Sequence, residues 1–191
     1  FPQYGARLIG AFARSAQERV VVVATKPRIP IKGMERLTCC EIFWEEKSSR
    51  RSLLEITGEV PSALFVSGWS LPIYRQYCRE VGRNGGIVAA MVDNDYKFSV
   101  VEILKNLRFR LLLRRRFDAF VVPGLAGRKI LKSYGVKESD IYTGLYAADG
   151  SLFVRGSTLS RRPKKIIYVG QFCDRKNTLR MCRAFLIANS R

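Results

Sequence analysis

Short runs of β-branched and apolar residues alternate along this chain with longer stretches of helical periodicity, and that alternation restricts the fold more than any other feature. Residues 19–25 (RVVVVAT) form a continuous β-branched run, as in a strand covered on both faces. Further strands are expected at 37–43 (LTCCEIF), 63–67 (ALFVS), 87–92 (IVAAMV), 118–122 (DAFVV) and 140–145. Helical patterns fall around them. One covers 4–16, where Leu8, Ile9, Ala11 and Phe12 make an apolar stripe. A short one at 49–56 is entered through Ser48 and Ser49. The helix at 71–81 takes Ser70 as its cap and Pro72 in its first turn. A long helix spans about 99–116, and another runs over 125–134 until Gly135 stops it. Strands and helices alternating in this way imply βαβ units, hence an α/β fold with a Rossmann-like parallel sheet and helices on both faces.

The composition shifts once. Residues 155–165 (RGSTLSRRPKK) carry five basic residues and almost nothing apolar, which reads as a linker. A strand at 166–169 and a helix at 178–188 follow, too little chain to bury a core of its own. The expected division is therefore a domain over 1–154, the linker, and the beginning of a second domain over 166–191. The chain opens on what should be the turn after a first strand and closes after one strand and one helix. Both ends read as those of a fragment.

Absences narrow the chemistry. There is no histidine, which excludes imidazole-based mechanisms and His-ligated zinc. The five cysteines contain no C-x-x-C pair, so small core residues in a reducing cytoplasm are expected rather than a disulfide framework. No apolar run approaches the ~18 residues of a bilayer span, and no secretory leader is visible. Lys plus Arg number 34 against 16 Asp plus Glu, a net charge of +18. Such an excess suits nucleic acid, an anionic membrane surface or a phosphorylated substrate.

Several stretches carry a resemblance. Residues 164–186 (KKIIYVGQFCDRKNTLRMCRAFL) are similar to the opening strand, loop and helix of the donor domain in family 4 glycosyltransferases, which have two facing Rossmann-like domains. Gly170 matches the glycine of that motif and Lys176 its lysine. Gln171 stands where the family has arginine, and Asn177 where it has a second glycine. Residues 118–153 resemble the end of the acceptor-side domain, with Gly135-Val136, Ala148-Asp149 and Phe153 in register. SGWSLP followed by VDND, and the opening FPQYGARLIGAFAR, resemble acceptor-side loops and the segment after the first strand. The resemblance implies transfer of a sugar from a nucleotide-sugar donor to a glycan or lipid-linked acceptor, with retention, no metal and no cofactor. Cell-envelope polysaccharide synthesis at the cytoplasmic face of a membrane is the setting it implies. The family's paired glutamates would lie beyond Arg191, so this length of chain alone is expected to be inactive.

The residues support that chemistry on their own terms. A loop between a parallel strand and a helix aims N–H groups and the helix dipole at a diphosphate. Gly170 permits close approach there, and Lys176 adds charge where it develops in the transition state. Gln171 cannot supply the charged bidentate contact of arginine, which leaves Arg175 as its substitute. Gly5 is a candidate for the loop approaching the same phosphate. Asp93 follows a strand, at the edge where open α/β sheets bind ligands, and is the candidate catalytic residue contacting acceptor or sugar. Asn94, Ser67, Gly68 and Trp69 line the same expected cleft, with Trp69 either a platform for a sugar ring or a core residue.

Asp93 and Asp95 also form a D-x-D, which in a different glycosyltransferase architecture carries a divalent metal. The segment 97–117 sets Lys97, Lys105, Arg108, Arg110, Arg114, Arg115 and Arg116 against Glu102, with aliphatic residues between. Arg108, Arg110, Arg114, Arg115 and Arg116 are expected to face an anionic membrane. Two rivals remain open at this point: a basic α/β module that binds nucleic acid, and the metal-dependent transferase. Nucleic acid is the less expected partner, because no stacking platform or reading motif occurs.

Overall fold

The computed structural model describes residues 3–26, 33, 36, 38–46, 48–93, 100–146, 167–170, 172 and 174–189. Strand β1 (Val21–Ala24) pairs with β2 (Glu41–Trp44), while β3 (Ala63–Val66), β4 (Ile87–Met91), β5 (Ala119–Val122) and β6 (Ile141–Thr143) form a second sheet in that order. Every pairing is parallel. Parallel neighbours need a crossover, and in the second sheet helices supply it. Helix α1 (Gln3–Ser15) precedes β1 and α2 (Leu53–Thr57) precedes β3; α3 (Pro72–Arg83), α4 (Val100–Arg108) and α5 (Leu125–Ser133) link the strands of the second sheet. The expected Rossmann-like α/β architecture is present, with its strands in two hydrogen-bonded sets.

Val88, Ala89 and Ala90 of β4 are all buried. Successive strand residues point to opposite faces, so β4 is covered on both. Strand β1 differs from expectation: its valines are only half-buried. The core centres on Phe109, Phe120, Leu53, Leu131, Val81, Val88 and Val122. An aromatic cluster ties its parts together. Phe109 meets Trp69, Phe120 and Tyr134 at ring-centroid distances of 4.6, 6.0 and 5.5 Å. Helix α5 seats on β5 through Gly127, where a Cβ would lie 2.8 Å from the Cβ of Val122.

Local chemistry moved several boundaries. The strand expected from residue 37 begins at Glu41, because Cys39 adopts a left-handed φ of 53°. The helix expected at 49–56 is α2, capped by Ser52 rather than by Ser48 or Ser49. Ser52 and Glu55 form a reciprocal capping box, and Ser49 donates instead to Glu45. Ser70 does not cap α3: Leu71 holds that position without a side-chain hydrogen bond, and Pro72 opens the helix. The long helix at 99–116 is α-helical to Arg108, then a π-turn over Phe109–Leu113 and a 3-10 turn over Arg114–Arg116.

The chain divides into two units, Phe1–Gly150 and Ser151–Arg191. The expected linker at 155–165 lies outside the described residues. In the second unit, α6 (Thr178–Asn189) forms as expected. The strand expected at 166–169 does not appear over residues 167–169, where among the described residues no strand pairs with them. Among this unit's described residues Thr178 is buried, whereas Val169, Phe172 and Leu179 stay exposed.

Candidate functional site

Parallel strands deliver all their following loops to one edge of a sheet, and polar groups gather there. Ser67-Gly68-Trp69 leaves β3, Asp93 follows β4, Pro123-Gly124 follows β5, and Gly144 to Tyr146 follow β6. The turn after β3 is sharp: Gly68 takes φ 80° and its N–H donates to the Val66 carbonyl at 2.8 Å.

Asp93 is exposed, and the Tyr146 hydroxyl donates to its Oδ2 at 2.5 Å. Tyr146 was not read from the sequence, because the strand expected at 140–145 absorbed its neighbours. The strand ends at Thr143, and Gly144, with φ 106°, turns the chain so that Leu145 is buried while Tyr146 reaches Asp93. A glycine directly after the β-branched run was the signal. The arrangement offers an oriented carboxylate at a ligand-binding edge, suited to accept a hydroxyl hydrogen. Asn94 and Asp95 lie outside the described residues. Among the described residues no acidic, cysteine or histidine cluster could hold a metal ion.

Trp69 is held by the core. Its ring packs on Phe109 and on Phe117, the latter at 5.8 Å, which fixes the loop after β3 and occupies much of the indole. Gly5 lies in the first turn of α1 rather than in a loop. Arg114 does not face outward with its neighbours. Its Nη2 meets Asp140 Oδ2 at 2.6 Å, its Nη1 donates to the Phe117 carbonyl at 3.1 Å, and its guanidinium sits 5.6 Å from the centre of the Phe120 ring. Partners of such geometry outcompete water for a planar cation. Arg108, Arg110 and Arg115 are exposed, and Arg116 is half-buried.

The glycine–lysine segment stands by itself in the second unit. A Cβ on Gly170 would come within 2.8 Å of the Tyr168 hydroxyl, at the far end of a half-buried side chain that can shift to make room. Tyr168 packs against Phe172 at 5.6 Å and accepts a hydrogen bond from the Thr178 hydroxyl at 3.3 Å. Asp174 to Lys176 form a 3-10 turn, Lys176 is exposed, and Asn177 takes φ 51° before α6 begins. Asparagine tolerates the left-handed region better than other residues with a side chain. A hollow of about 370 Å³ beside this turn is lined by Phe172, Asp174, Asn177, Thr178 and Leu179. Gln171 and the side chain of Arg175 lie outside the described residues.

The cysteines divide. Cys78 is buried, and burial pushes its thiol up to about 11. Cys39 and Cys182 are exposed, contrary to the expectation of core cysteines.

The fold defines the class: a Rossmann-like α/β protein. No protein-family model, curated protein or solved structure matches the chain.

Proposed function

We propose that the chain is part of a two-domain glycosyltransferase, with residues 1–154 on the acceptor side and 166–191 opening the donor side. It would transfer a sugar from a nucleotide-activated donor to a glycan or lipid-linked acceptor, retaining anomeric configuration and using no metal. The observation that carries this reading is Asn177. It stands where the resembling family places a glycine, directly after the matching lysine, and its backbone is left-handed. A left-handed backbone is one that glycine adopts freely, so the turn at Asn177 is compatible with that motif and supports the reading. Lys176 would neutralise the departing diphosphate, with α6 aiming its first N–H groups the same way. Asp93, oriented by Tyr146, would hold an acceptor or sugar hydroxyl.

The test is donor binding and turnover. The full two-domain protein to which this proposal assigns the chain is titrated calorimetrically with UDP-, GDP- and ADP-linked hexoses, and release of nucleoside diphosphate is followed with polyprenyl-linked sugar as acceptor. At least one donor binds, and Lys176→Ala weakens that binding about tenfold, the worth of one charge-assisted phosphate contact. A protein that binds none of these donors and releases no nucleoside diphosphate overturns the reading.

A further inference from the structure

The helix formed by α4 and its π-turn carries two apolar faces, and the core uses one. Phe109 is 1% exposed and Leu113 8%, both turned inward. The Asn106 amide donates to the Ser133 carbonyl at 3.0 Å on that inner side. Val100, Ile103, Leu104, Leu107, Leu111 and Leu112 are instead between 52% and 73% exposed. Val100, Leu104, Leu107 and Leu111 follow the i, i+4, i+7, i+11 spacing of one helical line. Aliphatic residues in a stripe of this length, left in water, mark a surface that something covers.

Three features choose the occupant. Lys105 and Arg108 fall on one flank of the line and Arg110 on the other, at ~100° of rotation per residue, and exposed Arg115 extends the charge past the π-turn. A second copy packed stripe to stripe would bring these cations against their equivalents in a chain of net charge +18. Nucleic acid would meet methyl groups where its phosphates need N–H donors. An anionic lipid surface satisfies both features: the stripe enters the headgroup–acyl boundary, and the long cationic side chains reach back to lipid phosphates. No helix among the described residues is long and apolar enough to cross a membrane, so contact of this kind lies along the surface.

We propose that residues 100–115 form a docking helix for an anionic membrane surface, with Val100, Leu104, Leu107 and Leu111 inserted and Arg108, Arg110 and Arg115 on lipid phosphates. The inference does not rest on the sugar-transfer reading. Its test needs no donor, so either can fail alone.

The experiment is co-sedimentation of the protein with vesicles of phosphatidylcholine alone, or containing about one-third phosphatidylglycerol. Sedimentation velocity without lipid reports self-association. The protein binds the anionic vesicles at least about tenfold more tightly than the neutral ones, and weakens toward ~1 M salt, where the Debye length is ~3 Å. Leu104→Ser/Leu107→Ser/Leu111→Ser replaces exposed residues, so its circular dichroism and unfolding midpoint stay as in the wild type, yet its binding falls at least about tenfold. Arg108→Glu/Arg110→Glu/Arg115→Glu loses the preference for anionic lipid. Vesicle binding unchanged by the serine substitutions overturns the proposal. So does a wild-type protein that ignores vesicles and forms a dimer which the same serines dissolve.

Discussion

Gly85 and Gly86 are adjacent in sequence, but alanine at each position should fail for a different reason. Gly86 sits where α3 hands over to β4, the strand that leads to Asp93. A Cβ there would lie 2.5 Å from Val81 Cγ1 and 3.0 Å from the carbonyl oxygens of both Pro61 and Ser62. None of these can yield easily. Val81 is fully buried, and the Ser62 carbonyl accepts the Ile87 N–H at 2.8 Å, holding β3 to β4. Overpacking at such a site costs roughly 2–3 kcal/mol. At Gly85 a Cβ meets nothing within 4 Å, but φ is 76°. The cost there is the left-handed backbone alone, ~1–2 kcal/mol. With a urea slope of roughly 2 kcal/mol/M, Gly86→Ala should lower the unfolding midpoint by ~1 M and Gly85→Ala by about half that. Val81→Ala separates the contacts. If Cγ1 dominates the clash, Gly86→Ala costs at least about 1 kcal/mol less in the Val81→Ala background, a coupling of the kind that contacting residues show. A Gly86→Ala midpoint no lower than that of Gly85→Ala refutes the packing argument.

Asp140→Asn leaves the Arg114 guanidinium half-buried without its carboxylate; a loss of about 1–3 kcal/mol is expected in the same urea assay, with the Phe120 contact retaining the rest. The thiols should separate by reactivity and by pH. Maleimide followed by mass spectrometry modifies Cys39 and Cys182 in the native protein, and Cys78 only after denaturation. Burial raises the Cys78 thiol to about 11 and the Tyr77 phenol to about 12, so the folded state favours their neutral forms. Their contribution is complete below the unfolded values, about 8.5 and 10, and is lost as pH rises through the folded ones. The urea midpoint should therefore fall between pH ~8.5 and 11, with a shallower slope in Cys78→Ala.

Strand–helix alternation was legible because each run's periodicity survives in one dimension. The boundaries were not, because single residues decided them. Cys39 and Gly144 turn the chain through positive φ, and only the glycine advertised it. Ser52 caps α2 because Glu55 completes the S-x-x-E signature, which the serine pair at 48–49 upstream obscured. Asp93 was legible as a residue after a strand. Its partner Tyr146 was not, since 53 positions separate them and only parallel pairing of β4, β5 and β6 brings their ends together.

The arginine run shows why a charge count alone misjudges a surface. Arg114, Arg115 and Arg116 are consecutive, so helical geometry cannot put all three on one face. The structure separates them: Arg114 turns in to Asp140 and Phe120, Arg115 is exposed, and Arg116 is half-buried beside α3. Other cations are committed as well. Arg19 bridges Glu41 and Glu59, Arg51 pairs with Glu45, and Arg128 and Lys132 share Glu138, whose carboxyl they hold below its usual range. Each such pair subtracts a cation from what a polyanion could use, while leaving the aliphatic stripe of α4 untouched. These pairs commit five of the 34 cations, so the excess of +18 stands and charge alone does not choose the partner. The stripe does: a lipid surface gains from the exposed aliphatic residues, which a polyanion has no use for, and needs cations only at their borders.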